Sequence, residues 1–217
     1  MKSKTDKALI IVDLQNDFLP GGALGVDGGE EIIPIIHQLM DRFDVVIATQ
    51  DIHPKGHVSF AETHGKQVGE TVELEGQTQE LWPIHCVENT HGAALADGLN
   101  KDKIQAYFKK GTDLQVDSYS AFFDNDYESE TGLDDYLRQR KVKTLYLVGL
   151  TTDFCVKFTA LDALDLGFKV VIVRDACKGV FDEERALEEL KKKGAKIVFS
   201  KDLLSRQASF GLWSLLK

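Results

Sequence analysis

Val148-Gly149-Leu150-Thr151-Thr152-Asp153-Phe154-Cys155-Val156 is the stretch on which the fold of this 217-residue chain turns. Leu145 to Val148 reads as a short buried strand. From Phe154 to Leu166 the apolar residues Val156, Ala160, Leu161 and Leu164 fall at helical spacing. Between the two lie Gly149, which permits a tight turn, and Thr151, Thr152 and Asp153, which suit a helix N-terminus. A strand that runs through a short turn into a helix is half of a βαβ unit. It also places Cys155 in the first helical turn, where unpaired backbone N–H groups and the helix dipole favour a thiolate and can hold an oxyanion. The plainer alternative is a small buried cysteine packed as a hydrophobe.

Outward from this turn the same alternation repeats. Strands are predicted at Ala8–Val12, Val45–Ala48, Ile104–Phe108, Thr144–Val148, Phe168–Val173 and Lys196–Phe199. Helices are predicted at Glu30–Phe43, Leu133–Arg140, Phe154–Leu166 and Asp182–Lys193. The fold class is therefore α/β: a doubly wound, mostly parallel six-stranded sheet with helices on both faces. Residues 1–217 read as a single domain, with an insertion at about 51–102 that carries five of the six histidines. Ser205–Lys217 has no placement. Ligands of such sheets lie beyond the carboxyl ends of the strands. The first four strands deliver Asp13, Asp51, Lys110 and Cys155 to that rim.

Composition narrows the class. With 43% hydrophobic and 28% charged residues the chain is an ordinary globular protein, and its net charge of −9 argues against nucleic acid or an anionic membrane as partner. No apolar run approaches the ~20 residues that span a bilayer, and Met1–Lys7 is too polar for a signal peptide. Three cysteines without a CxxC pair make no disulfide framework. The expectation is a cytoplasmic protein with reduced thiols and a small-molecule partner.

Two constellations carry chemistry. A free thiol is mostly protonated at neutral pH, so a nucleophilic Cys155 needs a base and a cationic neighbour. Asp13 can accept the proton, and Lys110 can hold that carboxylate and steady the thiolate. The second is a metal site. Asp51 and His53 stand two apart and project to one side of an extended segment, with His57 and His85 following. Such a set suits Zn²⁺, Fe²⁺ or Mn²⁺ in an open site. His37 and His91 read as ordinary helix and loop residues.

Five ordered blocks make the chain resemble the nicotinamidase (pyrazinamidase) branch of the isochorismatase-like cysteine hydrolases. They are Ile11-Val12-Asp13-Leu14-Gln15-Asn16-Asp17-Phe18; Thr49-Gln50-Asp51-Ile52-His53-Pro54 with His57-Val58-Ser59-Phe60; Trp82-Pro83-Ile84-His85-Cys86-Val87; Phe108-Lys109-Lys110-Gly111; and Gly149 to Val156. The resemblance implies an amidohydrolase of NAD salvage that converts nicotinamide and water to nicotinate and ammonia through a cysteine thioester, with pyrazinamide as a second substrate. It implies Asp13, Lys110 and Cys155 as the catalytic triad and the backbone N–H groups of Thr151 and Cys155 as the oxyanion hole, beside a cis Leu150–Thr151 peptide. It implies one divalent metal ion, Zn²⁺ before Fe²⁺ or Mn²⁺, on Asp51, His53 and His85, with His57 as a further candidate ligand. Phe18, Trp82, Tyr119 and Phe122 match positions that line the ring pocket. A homo-oligomer is left open. Two alternatives stand beside this: a metal-free relative acting on a ureido or carbamoyl group or an isochorismate vinyl ether, and a non-catalytic metal-binding protein on the same scaffold.

Overall fold

The apolar run after Asp6 forms β1 (Lys7–Val12), buried from Ala8 onward, at the centre of a six-stranded sheet. The structure, a computed structural model, describes residues 6–74 and 76–205. After β1 come α1 (Ile32–Met40), β2 (Val46–Asp51), the hairpin strands β3 (Thr71–Leu74) and β4 (Gln77–Glu80), and β5 (Ala106–Lys110). Then follow α2 (Leu133–Gln139), β6 (Thr144–Leu150), α3 (Cys155–Asp165), β7 (Lys169–Lys178), α4 (Glu183–Lys193), β8 (Lys196–Val198) and α5 (Ser200–Leu204). The main sheet runs β5-β2-β1-β6-β7-β8 with every neighbouring pair parallel. The chain builds outward from β1 on one side, returns, and builds outward from β6 on the other. The switch point therefore lies between β1 and β6, where a doubly wound sheet opens its binding crevice.

The period-2 side-chain alternation of β1 feeds two cores. Ala8, Ile10 and Val12 pack with Leu133 and Leu137 of α2, Val156, Ala160 and Ala163 of α3, and Leu187 and Leu190 of α4. Leu9 and Ile11 pack on the opposite face with Ile32, Ile36, Leu39 and Met40 of α1 and with Leu203 and Leu204 of α5. Both faces are covered, which is why the strands read as continuous apolar runs.

The expected elements form, with shifted ends. β2 and β5 run on through residues that look like terminators, so that Asp51 pairs with Lys110 as the last rung of the ladder. β7 continues through Arg174 and Asp175 because its pairing with β6 slips between Leu147 and Gly149. Asp175 then accepts hydrogen bonds from the Ser200 N–H and hydroxyl, at 2.7 and 2.6 Å, and so seats α5. The 51–102 stretch is not a bare loop. It contains the β3–β4 hairpin and sends Cys86, Ala93, Leu95, Ala96 and Leu99 into the α1 core. Of the unplaced C-terminal segment only Ser205, at the end of α5, is among the described residues. Among those residues no helix is long and apolar enough to cross a membrane.

Gly149 stands opposite Val12 in the β1–β6 ladder with φ +114°, and a Cβ there would lie 2.1 Å from the Val12 carbonyl oxygen. Gly149→Ala is expected to cost more than about 2 kcal/mol, through the forced φ and the backbone clash together. A urea unfolding curve measures this.

Candidate active site

Three strand ends and one helix start converge on the Lys110 ammonium. Lys110 is the last residue of β5 and fully inside the protein, with Nζ 3.0 Å from Asp13 Oδ2 and 2.9 Å from Asp51 Oδ1. The same Nζ donates to the Ser118 carbonyl at 2.7 Å and to Cys155 Sγ at 3.5 Å. Asp13 follows β1 in the left-handed region, φ +43°, a conformation Asp tolerates better than most residues. Thr49 of β2 fixes it there, accepting the Asp13 N–H at 3.1 Å and donating its hydroxyl to Oδ1 at 2.6 Å. Oδ2 faces the Lys110 charge and accepts no hydrogen bond among the described residues, a buried acceptor left open beside the Cys155 sulfur that meets the same Lys110 nitrogen.

Burial sets the protonation states. It pushes the Cys155 thiol well above its ordinary range, and the nearby Asp13 and Asp51 carboxylates add to that, while Lys110 pulls the other way. The helix-start field anticipated for Cys155 is therefore outweighed by desolvation, and Cys155 rests as a thiol whose ionisation would need a base. Burial also raises Asp13 against the opposing charge of Lys110, which strengthens it as that base. For Lys110 burial acts to lower, but Asp13, Asp51 and Cys155 together hold it well above the usual lysine range. Burial acts to raise Asp51, yet His53 and Lys110 keep it well below the carboxylate range.

Beyond Thr151, whose peptide bond to Leu150 is cis, the chain enters α3 at Cys155. Among the described residues neither the Thr151 nor the Cys155 N–H donates to a backbone carbonyl, and both residues line the pocket. Asp153 does not cap α3. The residue at the cap position is Phe154, and the Asp153 carboxylate turns instead to the loop after β7.

Asp51, His53 and His85 form a buried group whose ligand atoms lie within 4.8 Å of one another. His53 Nε2 is 2.9 Å and His85 Nε2 3.4 Å from Asp51 Oδ2. Their Nδ1 atoms pair with the carbonyls of Gly111, at 2.9 Å, and Pro83, at 2.8 Å. With Nδ1–H so engaged, each Nε2 presents its lone pair beside the carboxylate, the arrangement a metal-binding imidazole needs. The donor set fits a divalent cation. His57 stands apart: it stacks on His53 at 4.1 Å, takes the Ser59 hydroxyl at Nδ1, 2.8 Å, and meets the Val116 carbonyl at Nε2, 3.3 Å. Desolvation, with His53 adding to it, lowers the His57 pKa to about 4, so it is neutral, and both its nitrogens are engaged away from Asp51 and His85. It groups with His53 and Asp117 instead.

The pocket above Cys155 is walled by Phe18, Trp82 and Tyr119, with Trp82 Nε1 donating to the Tyr119 hydroxyl at 3.1 Å. Phe122 is a correction. The turn after Ser118 directs its ring into the core against Phe168, 6.1 Å away, and off the pocket wall. Leu24, Asp117 and Val180 line the pocket from loops or turns with no periodicity to place them, and Phe154 joins them from the cap position before α3. Gln15 was likewise missed. Its amide clamps the backbone of Asp51 on both sides, accepting the N–H at 2.7 Å and donating to the C=O at 2.7 Å.

Residues 7–202 match the isochorismatase domain family. The chain is 46% identical to a nicotinamidase of Escherichia coli over 199 residues, covering 88% of this chain and 93% of that one. A nicotinamidase/pyrazinamidase structure from Acinetobacter baumannii superposes with a TM-score of 0.90 at 45% identity, covering 94% and 100% of the two chains. A pyrazinamidase of Pyrococcus horikoshii in complex with zinc superposes with a TM-score of 0.75 at 42% identity, covering 90% and 99%.

Thr49→Val removes both hydrogen bonds that hold Asp13 and leaves a buried N–H and Oδ1 without partners. The expected loss is about 2 kcal/mol of stability, read by denaturant titration.

Proposed function

The chain belongs to the isochorismatase family, and from that premise we propose that it is a metal-dependent nicotinamidase, an amidohydrolase of NAD salvage that also accepts pyrazinamide. The observation that carries this is the single ammonium of Lys110 in contact with Asp13, Asp51 and Cys155 at once. It joins the proton acceptor, the metal-binding carboxylate and the nucleophile in one buried unit.

The chemistry follows from those contacts. Asp13 takes the Cys155 proton, and the thiolate sulfur bonds to the carboxamide carbon as the C=O electron pair moves onto oxygen. Lys110 offsets the thiolate charge and keeps Asp13 aimed. The free N–H groups of Thr151 and Cys155 hold the oxyanion. On collapse the C–N bond breaks, the proton on Asp13 passes to nitrogen, and ammonia leaves a thioester. Asp13 then removes a proton from water, and the resulting hydroxide adds to the thioester carbonyl. The C–S bond breaks to give nicotinic acid, the sulfur recovers its proton from Asp13, and the acid ionises to nicotinate by passing its own proton to solvent or to the released ammonia. Phe18, Trp82 and Tyr119 confine the ring and exclude bulk water. Asp51, His53 and His85 would hold one divalent ion, Zn²⁺ on the donor set, which would supply Lewis acidity toward the substrate ring. The buried convergence of those three ligands disfavours the metal-free ureido or carbamoyl reading.

The test is ammonia release from nicotinamide, with chelator and with metal add-back. Turnover lost on chelation and restored by zinc is the expected result. No release from metal-replete protein overturns the reading. Cys155→Ala is expected to lower kcat more than about a thousandfold while leaving the circular dichroism spectrum unchanged. His53→Ala is expected to weaken zinc binding, measured by chelator competition, and to raise KM, each by at least about tenfold.

A further inference from the structure

Asp153 is two residues from the nucleophile, nearly buried, and unused by the chemistry above. Its carboxylate accepts three consecutive backbone N–H groups of the loop between β7 and α4. Val180 donates at 3.0 Å to Oδ1, and Phe181 and Asp182 donate to Oδ2 at 2.7 and 3.1 Å. The approach is close because residue 179 is glycine: a Cβ there would lie 3.0 Å from Asp153 Oδ1 and 2.6 Å from the Glu183 side chain. The Gly179 N–H donates to Glu183 at 2.7 Å, and the Thr152 N–H donates to the Lys178 carbonyl at 2.8 Å. The loop is thus tied to the turn before Cys155 through its backbone.

What the loop carries explains why this matters. Val180 forms part of the catalytic pocket wall. Phe181 is 67% exposed, yet its ring lies stacked over Trp82 at 6.3 Å and edge-on to Phe154 at 6.0 Å. An exposed phenylalanine gains little by burial there; its position makes it a cover on the aromatic wall. Outside that wall lies an open hollow of about 360 Å³ lined by Tyr119, Phe154 and Phe181.

We propose that Asp153 is a positioning residue for substrate binding: it holds the 179–182 loop so that Val180 and Phe181 close the ring pocket, and it takes no part in proton transfer. The proposal rests on the nicotinamidase reading, and wild-type turnover separates the two. A wild-type enzyme inert toward nicotinamide refutes that reading, whereas an active wild type with unaltered variants refutes this one.

Steady-state kinetics on the zinc-loaded enzyme test it. Asp153→Ala is expected to raise KM for nicotinamide about tenfold with kcat within about threefold, the signature of lost binding rather than lost chemistry. Asp153→Asn keeps one carbonyl acceptor and is expected to restore part of that KM. Phe181→Ala, at an exposed position that leaves folding intact, is expected to raise KM to a similar extent. Because both changes act through one cover, the double variant is expected to be no worse than Asp153→Ala alone. A fall in kcat at constant KM in Asp153→Ala, effects that multiply in the double variant, or an unchanged KM in Phe181→Ala would each overturn the proposal.

Discussion

A lysine ammonium buried between two carboxylates, a carbonyl and a thiol is the constraint that the rest of this site depends on. Charges of this kind persist inside a protein only when each finds its partners, since removing one leaves the others stranded in a low-dielectric interior. Lys110 therefore fixes more than its own place. It holds the ends of β1, β2 and β5 and the start of α3 at a common point, because Asp13, Asp51 and Cys155 all meet its one nitrogen. The same contact divides labour between two chemically identical side chains. Asp13, desolvated and facing the thiol, is raised toward the range of a useful base, whereas Asp51, between Lys110 and His53, stays ionised and suited to a cation.

Much of this was legible in the sequence, and for identifiable reasons. Strands covered on both faces leave unbroken apolar runs, so Ala8–Val12 and Leu145–Val148 announced themselves, and polar residues at their ends marked the rim. The ends were harder to read. Lys109 and Lys110 look like a solvated stop to β5, and only a buried carboxylate cluster contributed by other strands makes Lys110 an interior residue. Arg174 and Asp175 interrupt β7 in sequence but not in space. Asp153 shows the limit most sharply. A carboxylate before a helix is most economically read as its cap, and nothing local reveals that its partners lie at residues 180–182.

The pocket residues divide along the same line. Phe18 and Trp82 reach the wall from recognisable sequence blocks, whereas Tyr119 lies outside them. Phe122, three residues beyond Tyr119, turns inward and serves the core instead. Between the two, a chain of side-chain hydrogen bonds supports the wall from behind. Gln79 of β4 donates to Asp117 at 2.9 Å and to the Tyr119 hydroxyl at 3.4 Å, and Tyr119 in turn receives the Trp82 indole. The small hairpin is thereby part of the pocket's frame, although it contributes no wall of its own.

The wide spacing of the site along the chain has a consequence for how the protein comes into being. The contacts that assemble it join residues far apart: Thr49 to Asp13 across 36 positions, Lys110 to Asp51 across 59 and Cys155 to Lys110 across 45. Parallel strands cannot pair until their crossovers have been built, so loop-closure entropy is met before any of these contacts can form. Asp13, Lys110 and Cys155 therefore meet only once β6 and α3 dock beside β1, late in the order of the chain.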